Sequence, residues 1–173
     1  MLFAILAGVL YVLKGSHWLL LAAIMVLVSG IFDALDGKVA RISKKASKRG
    51  DFVDHVIDRY SDAIILGAIA VSFRCEVSFG LFAVIGVLLA SYMGTQAQAL
   101  GLGREYRGIL GRADRIAVLV IVSLIQYGLE LGDSSLASDI FDYTLMSWMM
   151  VYFGLAGNIT ALQRARLIWK SLP

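Results

Sequence analysis

The sequence predicts an all-α integral membrane protein, a bundle of six transmembrane helices forming a single domain over residues 1–173. Three observations carry this. Apolar residues make up 59% of the chain and the mean hydropathy is +0.78, both beyond the range of soluble domains. The apolar residues fall into long runs, and no Pro-, Ser- or Gly-rich linker interrupts them; the one proline is Pro173. Most lysines and arginines fall in alternate connections between those runs and in the tail, as expected of a chain that crosses a bilayer repeatedly. Internal repeats and low-complexity segments are absent. The single cysteine, Cys75, excludes an intrachain disulfide framework and a cysteine-built metal site. In this setting the net charge of +3 reports topology and lipid headgroups rather than nucleic acid.

A spanning helix needs about 20 mostly apolar residues. The first run, Leu2 to Leu13, is shorter, and it lacks the basic start and small-residue cleavage site of a signal peptide. We therefore expect a shortened first helix and further natural sequence upstream. The second helix is expected from Trp18 through Phe32 and on past Asp33 and Asp36 toward Arg41. The third is expected from Phe52 to Phe73, the fourth from Val77 to Leu100, the fifth from Ile116 to Leu131 and the sixth from Thr144 to Leu162.

Lys38, Arg41, Lys44, Lys45, Lys48 and Arg49 occupy the connection between the second and third helices. Arg104, Arg107, Arg112 and Arg115 lie between the fourth and fifth, and Arg164, Arg166 and Lys170 form a basic tail. The other side offers only Lys14 and Arg74, and its last loop is acidic, with Glu130, Asp133, Asp139 and Asp142. The excess of cations puts the basic regions and both termini in the cytoplasm, in a multi-pass protein of the cell membrane.

Asp33, Asp36, Asp54 and Asp58 stand on that same side at helical spacing, so Asp33 shares a face with Asp36 and Asp54 with Asp58. If the connection folds the second and third helices side by side, four carboxylates converge on one small volume. Such a group repels itself unless divalent cations sit within it, and carboxylate oxygens suit Mg²⁺ or Mn²⁺. Gly37, Ala40 and Gly50 are small enough to admit a bulky group or a neighbouring helix close to the backbone. Arg41, one turn beyond Gly37, has a fork that fits a phosphate or a carboxylate. His55 is adjacent to Asp54 but points about 100° away on a helix, so it is not expected among the ligands. Asp51 reads as a solvated helix start, Asp62 as a polar helix partner, and His17 as an interfacial residue on the opposite side.

The residues Asp33, Asp36, Gly37, Ala40, Arg41, Gly50, Asp54 and Asp58 fill every fixed position of the pattern Asp-x2-Asp-Gly-x2-Ala-Arg-x8-Gly-x3-Asp-x3-Asp. This stretch resembles the signature of the CDP-alcohol phosphatidyltransferase family, and eight matches at fixed spacing leave little room for coincidence. The resemblance implies attack by an alcohol on the lipid-linked phosphorus of a CDP-lipid, with release of CMP. It implies that Asp33, Asp36, Asp54 and Asp58 hold two divalent ions and that Asp58 is also the general base. It implies that Gly37, Ala40, Arg41, Ser47 and Gly50 line the CDP-lipid site, and that the enzyme is a homodimer.

Arg112, Arg115 and Arg164 resemble the arginines that the inositol-phosphate-using branch of that family directs at the acceptor's phosphate. That branch covers phosphatidylinositol phosphate and archaetidylinositol phosphate synthases. An inositol phosphate is therefore the first expectation. The stretch Met93 to Gln98 carries no cation where the branch commonly has one; Gln96 and Gln98 bond hydroxyls without neutralising phosphate, so glycerol 3-phosphate is the second. The lipid is diacylglycerol or archaeol, since hydrocarbon contacts do not encode the linkage. A membrane cation transporter is the rival from another class. It is disfavoured because Leu19 to Val28 and Ile64 to Val71 offer no ionisable stepping stones across the outer half.

Overall fold

The computed structural model describes residues 1–42, 47–103, 105, 107–132 and 142–172, with the side chains of 36–42 and 48 outside that description. Its elements are six helices: α1 (Leu2–Val12), α2 (Ser16–Ile42), α3 (Lys48–Ala70), α4 (Val77–Ala99), α5 (Arg112–Leu131) and α6 (Leu145–Ser171).

The helices close into a ring. Contacts run from α1 to α3, α3 to α4, α4 to α6, α6 to α5, α5 to α2 and back to α1. Among the described residues α2 and α3 do not pack along their length; each packs on α1 instead. The side-by-side arrangement on which convergence of the carboxylates was conditioned is not found among the described residues; α1 lies between α2 and α3 in the ring.

The α4–α6 seam is the most extensive, and small residues make it so. A Cβ on Gly157 would stand 2.6 Å from the backbone carbon of Gly86, and one on Gly86 would stand 2.8 Å from the carbonyl oxygen of Gly154. Backbones that close gain van der Waals contact that lipid-facing side chains cannot supply. Inside the ring, Ala4, Ala7, Leu19, Val26, Ile69, Val87, Met150 and Phe153 form the apolar core. The hydroxyls of Tyr11 and Ser123 share a buried hydrogen bond of 2.8 Å, which removes the cost of burying either.

Three helices, Ser16–Leu35 within α2, Val77–Ala99 and Leu145–Ser171, are long and apolar enough to cross a membrane. The short α1 has 11 residues, as the sequence led us to expect. In α3 and α5 the shortfall is charge: Asp58, Asp62 and Arg115 have side chains at most 13% exposed and face one another rather than the lipid.

Four boundaries differ from expectation by three residues or more; one is the end of α3, which lies at Ala70 rather than Phe73. α3 begins at Lys48, because Ser47 caps it and accepts a hydrogen bond from the Gly50 N–H at 3.1 Å. α5 begins at Arg112, where the Asp114 carboxylate accepts from the Gly111 N–H at 3.0 Å. α6 runs to Ser171, so the basic tail is helical; Ala161, Leu162, Gln163, Arg164, Ala165, Arg166 and Leu167 are good helix formers whatever their charge.

Candidate active site

The start of α3, the end of α4, the start of α5 and the inner part of α6 enclose a cavity of about 340 Å³. Its acidic wall is one face of α3, with Asp51, Asp54, His55 and Asp58. Ligand atoms of Asp54, His55 and Asp58 all lie within 4.8 Å of one another. Asp58 is buried while Asp54 is exposed, so the group reaches from the interior to the opening. His55 therefore stands closer to the carboxylates than helical spacing suggested; its Nε2 also lies 3.3 Å from Asp51 Oδ1.

The facing wall is basic. Arg112 and Arg115 come from the first turn of α5, Arg164 from α6 and Arg59 from α3. Arg112 is in direct contact with Asp58 Oδ1, and its Nη1 lies 3.7 Å from Asp33 Oδ2. One guanidinium thus joins α2, α3 and α5, and it brings Asp33 next to Asp58 although Asp33 does not line the cavity itself. Arg115 is almost fully buried and donates from Nη2 to Asp62 Oδ2 at 2.7 Å. Asp62 is the polar helix partner the sequence suggested. Arg59 Nη2 lies 3.4 Å from the same carboxylate oxygen and 3.9 Å from Asp58 Oδ2.

Arg164 is held by carbonyls. Its Nη1 donates to the Ala90 oxygen at 2.5 Å and its Nε to the Arg107 oxygen at 2.8 Å. Gly94 leaves it room, since a Cβ there would meet Arg164 Nη1 at 3.2 Å and the Glu105 carbonyl oxygen at 2.9 Å. The loop before α5 is pinned to α6 by Thr160 Oγ1, which accepts from the Ile109 and Leu110 N–H groups at 3.2 and 3.3 Å. Gly108 makes that possible: its φ is +146° and any Cβ would run into Thr160.

Of the expected site residues, Asp54, Asp58, Arg112, Arg115 and Arg164 line one cavity, with Asp33 beside it. Ser47 and Gly50 sit at the exposed cap of α3 and are not among the lining residues. Around Gly50 a Cβ would meet only Ser47 Oγ, at an ordinary 3.4 Å. The side chains of Asp36, Gly37, Ala40 and Arg41 lie outside the described residues. Arg59 and Glu105 were not foreseen. For Arg59 a signal existed, because it is the only Lys or Arg of α3 beyond the first turn.

Carboxylates facing guanidiniums across a cavity at one end of a helical membrane protein define a class: a site for phosphate groups and the cations that accompany them. Comparison with known proteins gives the family. A model described as CDP-alcohol phosphatidyltransferase matches residues 1–159, and the chain belongs to that family. An archaetidylinositol phosphate synthase of Pyrococcus horikoshii is 42% identical over 61% of this chain; the match spans 56% of that relative, little more than half of its length. Another of the same name, from Methanothermobacter thermautotrophicus, is 30% identical over 91% of the chain and 74% of the relative. A crystal structure of Mycobacterium tuberculosis phosphatidylinositol phosphate synthase with CDP-DAG bound has the same fold, with a TM-score of 0.72. It covers 97% of this chain and 83% of that one at 21% identity. The same enzyme in complex with manganese and citrate gives a TM-score of 0.71 at 24% identity, over 97% and 79%.

Proposed function

We propose that this protein transfers the lipid-linked phosphate of a CDP-lipid to an inositol phosphate and releases CMP, with a divalent metal at the carboxylates. The observation that carries the reading is the single cavity in which Asp54 and Asp58 face Arg59, Arg112, Arg115 and Arg164. One wall suits cations and the pyrophosphate they neutralise. The other suits an acceptor that brings its own phosphate. The names of the relatives favour inositol phosphate over glycerol 3-phosphate, and the archaeal ones favour archaeol over diacylglycerol as the lipid.

Asp33, Asp36, Asp54 and Asp58 would hold two Mg²⁺ or Mn²⁺ ions, with His55 adjacent. The donor set fits: oxygen-rich, partly buried, and already drawing a guanidinium between Asp33 and Asp58. When bound, such ions neutralise pyrophosphate charge and ease departure of CMP. Gly37, Ala40, Arg41, Ser47 and Gly50 would line the CDP-lipid side. The open space beside Gly50 is consistent with a ligand's approach rather than with internal packing.

In the reaction the acceptor's hydroxyl oxygen bonds to the lipid-linked phosphorus. The bond from that phosphorus to the oxygen it shares with CMP breaks, and the hydroxyl's proton passes to Asp58. Arg112, now against Asp58, would turn to the incoming phosphate, so that acceptor binding frees the base. Arg115 and Arg164, each fixed by its own partner, would complete the phosphate site without further ordering cost. The protein would be a single domain with six spans in the cell membrane, its catalytic end and both termini cytoplasmic, and would work as a homodimer.

Transfer from a CDP-lipid to labelled inositol phosphate and, separately, to glycerol 3-phosphate tests this, with Mg²⁺ and with chelator. Metal-dependent CMP release with inositol phosphate alone is expected. Product with glycerol phosphate alone would keep the chemistry and overturn the acceptor.

A further inference from the structure

A second cavity of about 350 Å³ is bounded by Arg107 and Gly108, in the connection before α5, and by Gln163, Arg166, Leu167 and Lys170 of α6. The α6 residues are spaced by three, four and seven and so share one face. Among the described residues the lining holds three cations and no carboxylate. Glu105 approaches Arg107 Nε at 3.3 Å but does not line the groove, and the Arg107 side chain remains 78% exposed. Two guanidinium forks and an ammonium around one recess are a receptor for phosphate oxygens.

Its position says where the phosphate comes from. α6 has 27 residues and is therefore about 40 Å long, longer than the ~30 Å of hydrocarbon. Its last two turns accordingly emerge at headgroup level. Leu155, Leu162 and Trp169, seven apart along one face, are 52%, 71% and 80% exposed. That face adjoins the groove, and an exposed tryptophan near a helix end marks the interface. The recess thus opens where the lipid-facing surface of α6 meets the headgroups.

We propose that this groove binds the headgroup phosphate of an anionic membrane phospholipid, as a ligand separate from either substrate. The site is linked to catalysis through one residue. Arg107 offers its side chain to the groove and its carbonyl oxygen to Arg164, so a lipid held there steadies the loop that orients Arg164.

The test uses the whole protein in micelles of mixed phosphatidylglycerol and phosphatidylcholine, with retained lipid counted by native mass spectrometry. Wild type should retain phosphatidylglycerol preferentially. The variant R166Q/K170Q, changed at two exposed positions, should lose that preference on the order of tenfold or more. An undiminished preference in the variant overturns the proposal, as does displacement by inorganic phosphate without any preference between the lipids. A second measurement needs no change in the groove. Phosphatidylglycerol brominated on its acyl chains should quench Trp169 fluorescence, isolated by comparison with W169F, more strongly than brominated phosphatidylcholine. Equal quenching would sink the idea.

Discussion

At the scale of single residues, Asp58 is the position on which most depends, because it is buried, belongs to the group that suits a metal, and touches Arg112. Asp58→Asn keeps its size and removes its basicity. Transfer should fall by about 10²–10⁴-fold, while CDP-lipid binding, followed by ligand-induced thermal stabilisation, should persist. Near-normal turnover would show that the proton goes elsewhere. Cys75 supports a different forecast. Burial pushes its thiol up to about 11, against the opposing hydrogen bond with Ser147, while the nearby Glu76 adds a smaller push upward. A raised value leaves the thiol neutral throughout the physiological range. Its alkylation by iodoacetamide at pH 7.5 should be about 100-fold slower than that of an ordinary cysteine, accelerating tenfold per pH unit until the thiol titrates. That Asp54 and Asp58 belong together was legible in the sequence, because their spacing puts them on one helix face, and both line the cavity. Arg59 was not, because beside an aspartate a lone arginine reads as a local ion pair until the fold shows it in the cavity wall.

Among elements, the seam between α4 and α6 bears on the width of the candidate active-site cavity, since Gly94 and Arg164 lie on it. Gly157→Leu would drive a side chain into the Gly86 backbone. Overpacking of this kind costs about 1–3 kcal/mol, so the thermal midpoint in detergent should drop by several degrees and transfer should fall with it. An unchanged midpoint would mean that the helices separate freely at that point. Helix number and order could be read from the apolar runs, whereas several ends could not. The start of α3 depends on Ser47 closing onto Gly50, and the start of α5 on Asp114 reaching back to Gly111. The long end of α6 has strongly basic turns that hydropathy takes for a tail. In each case capping or intrinsic helix propensity decided the boundary, and an apolar pattern contains neither.

For the whole molecule, the ring needs closing at the end opposite the cavity, and Arg74 does this. Its side chain is 2% exposed. Nε and Nη2 donate to the two Glu130 oxygens at 2.6 and 2.9 Å, and Nη2 donates also to the Gly15 carbonyl at 3.1 Å. Its own carbonyl accepts from Thr144 Oγ1 and Ser147 Oγ, while Gln126 donates to Glu130 and accepts from the Leu145 N–H. The α1–α2 turn, the α3–α4 loop, the end of α5 and the start of α6 thus meet at one ion pair. The sequence showed Arg74 only as a stray cation on the side poor in them, because its partner lies 56 residues away. Glu130→Gln would leave a buried guanidinium without its counter-charge, and removing one member of such a pair costs about 3–5 kcal/mol. Replacing both, as R74M/E130L, removes the stranded charge together with its partner and should recover much of that loss. Thermal midpoints of the three proteins in one detergent would decide it. The double variant should melt above E130Q and retain transfer activity, because the clasp lies at the other end of the bundle from Asp58. If the double variant melts below E130Q, the hydrogen bonds to Gly15 and Gln126 hold the end together more than the charge pair does.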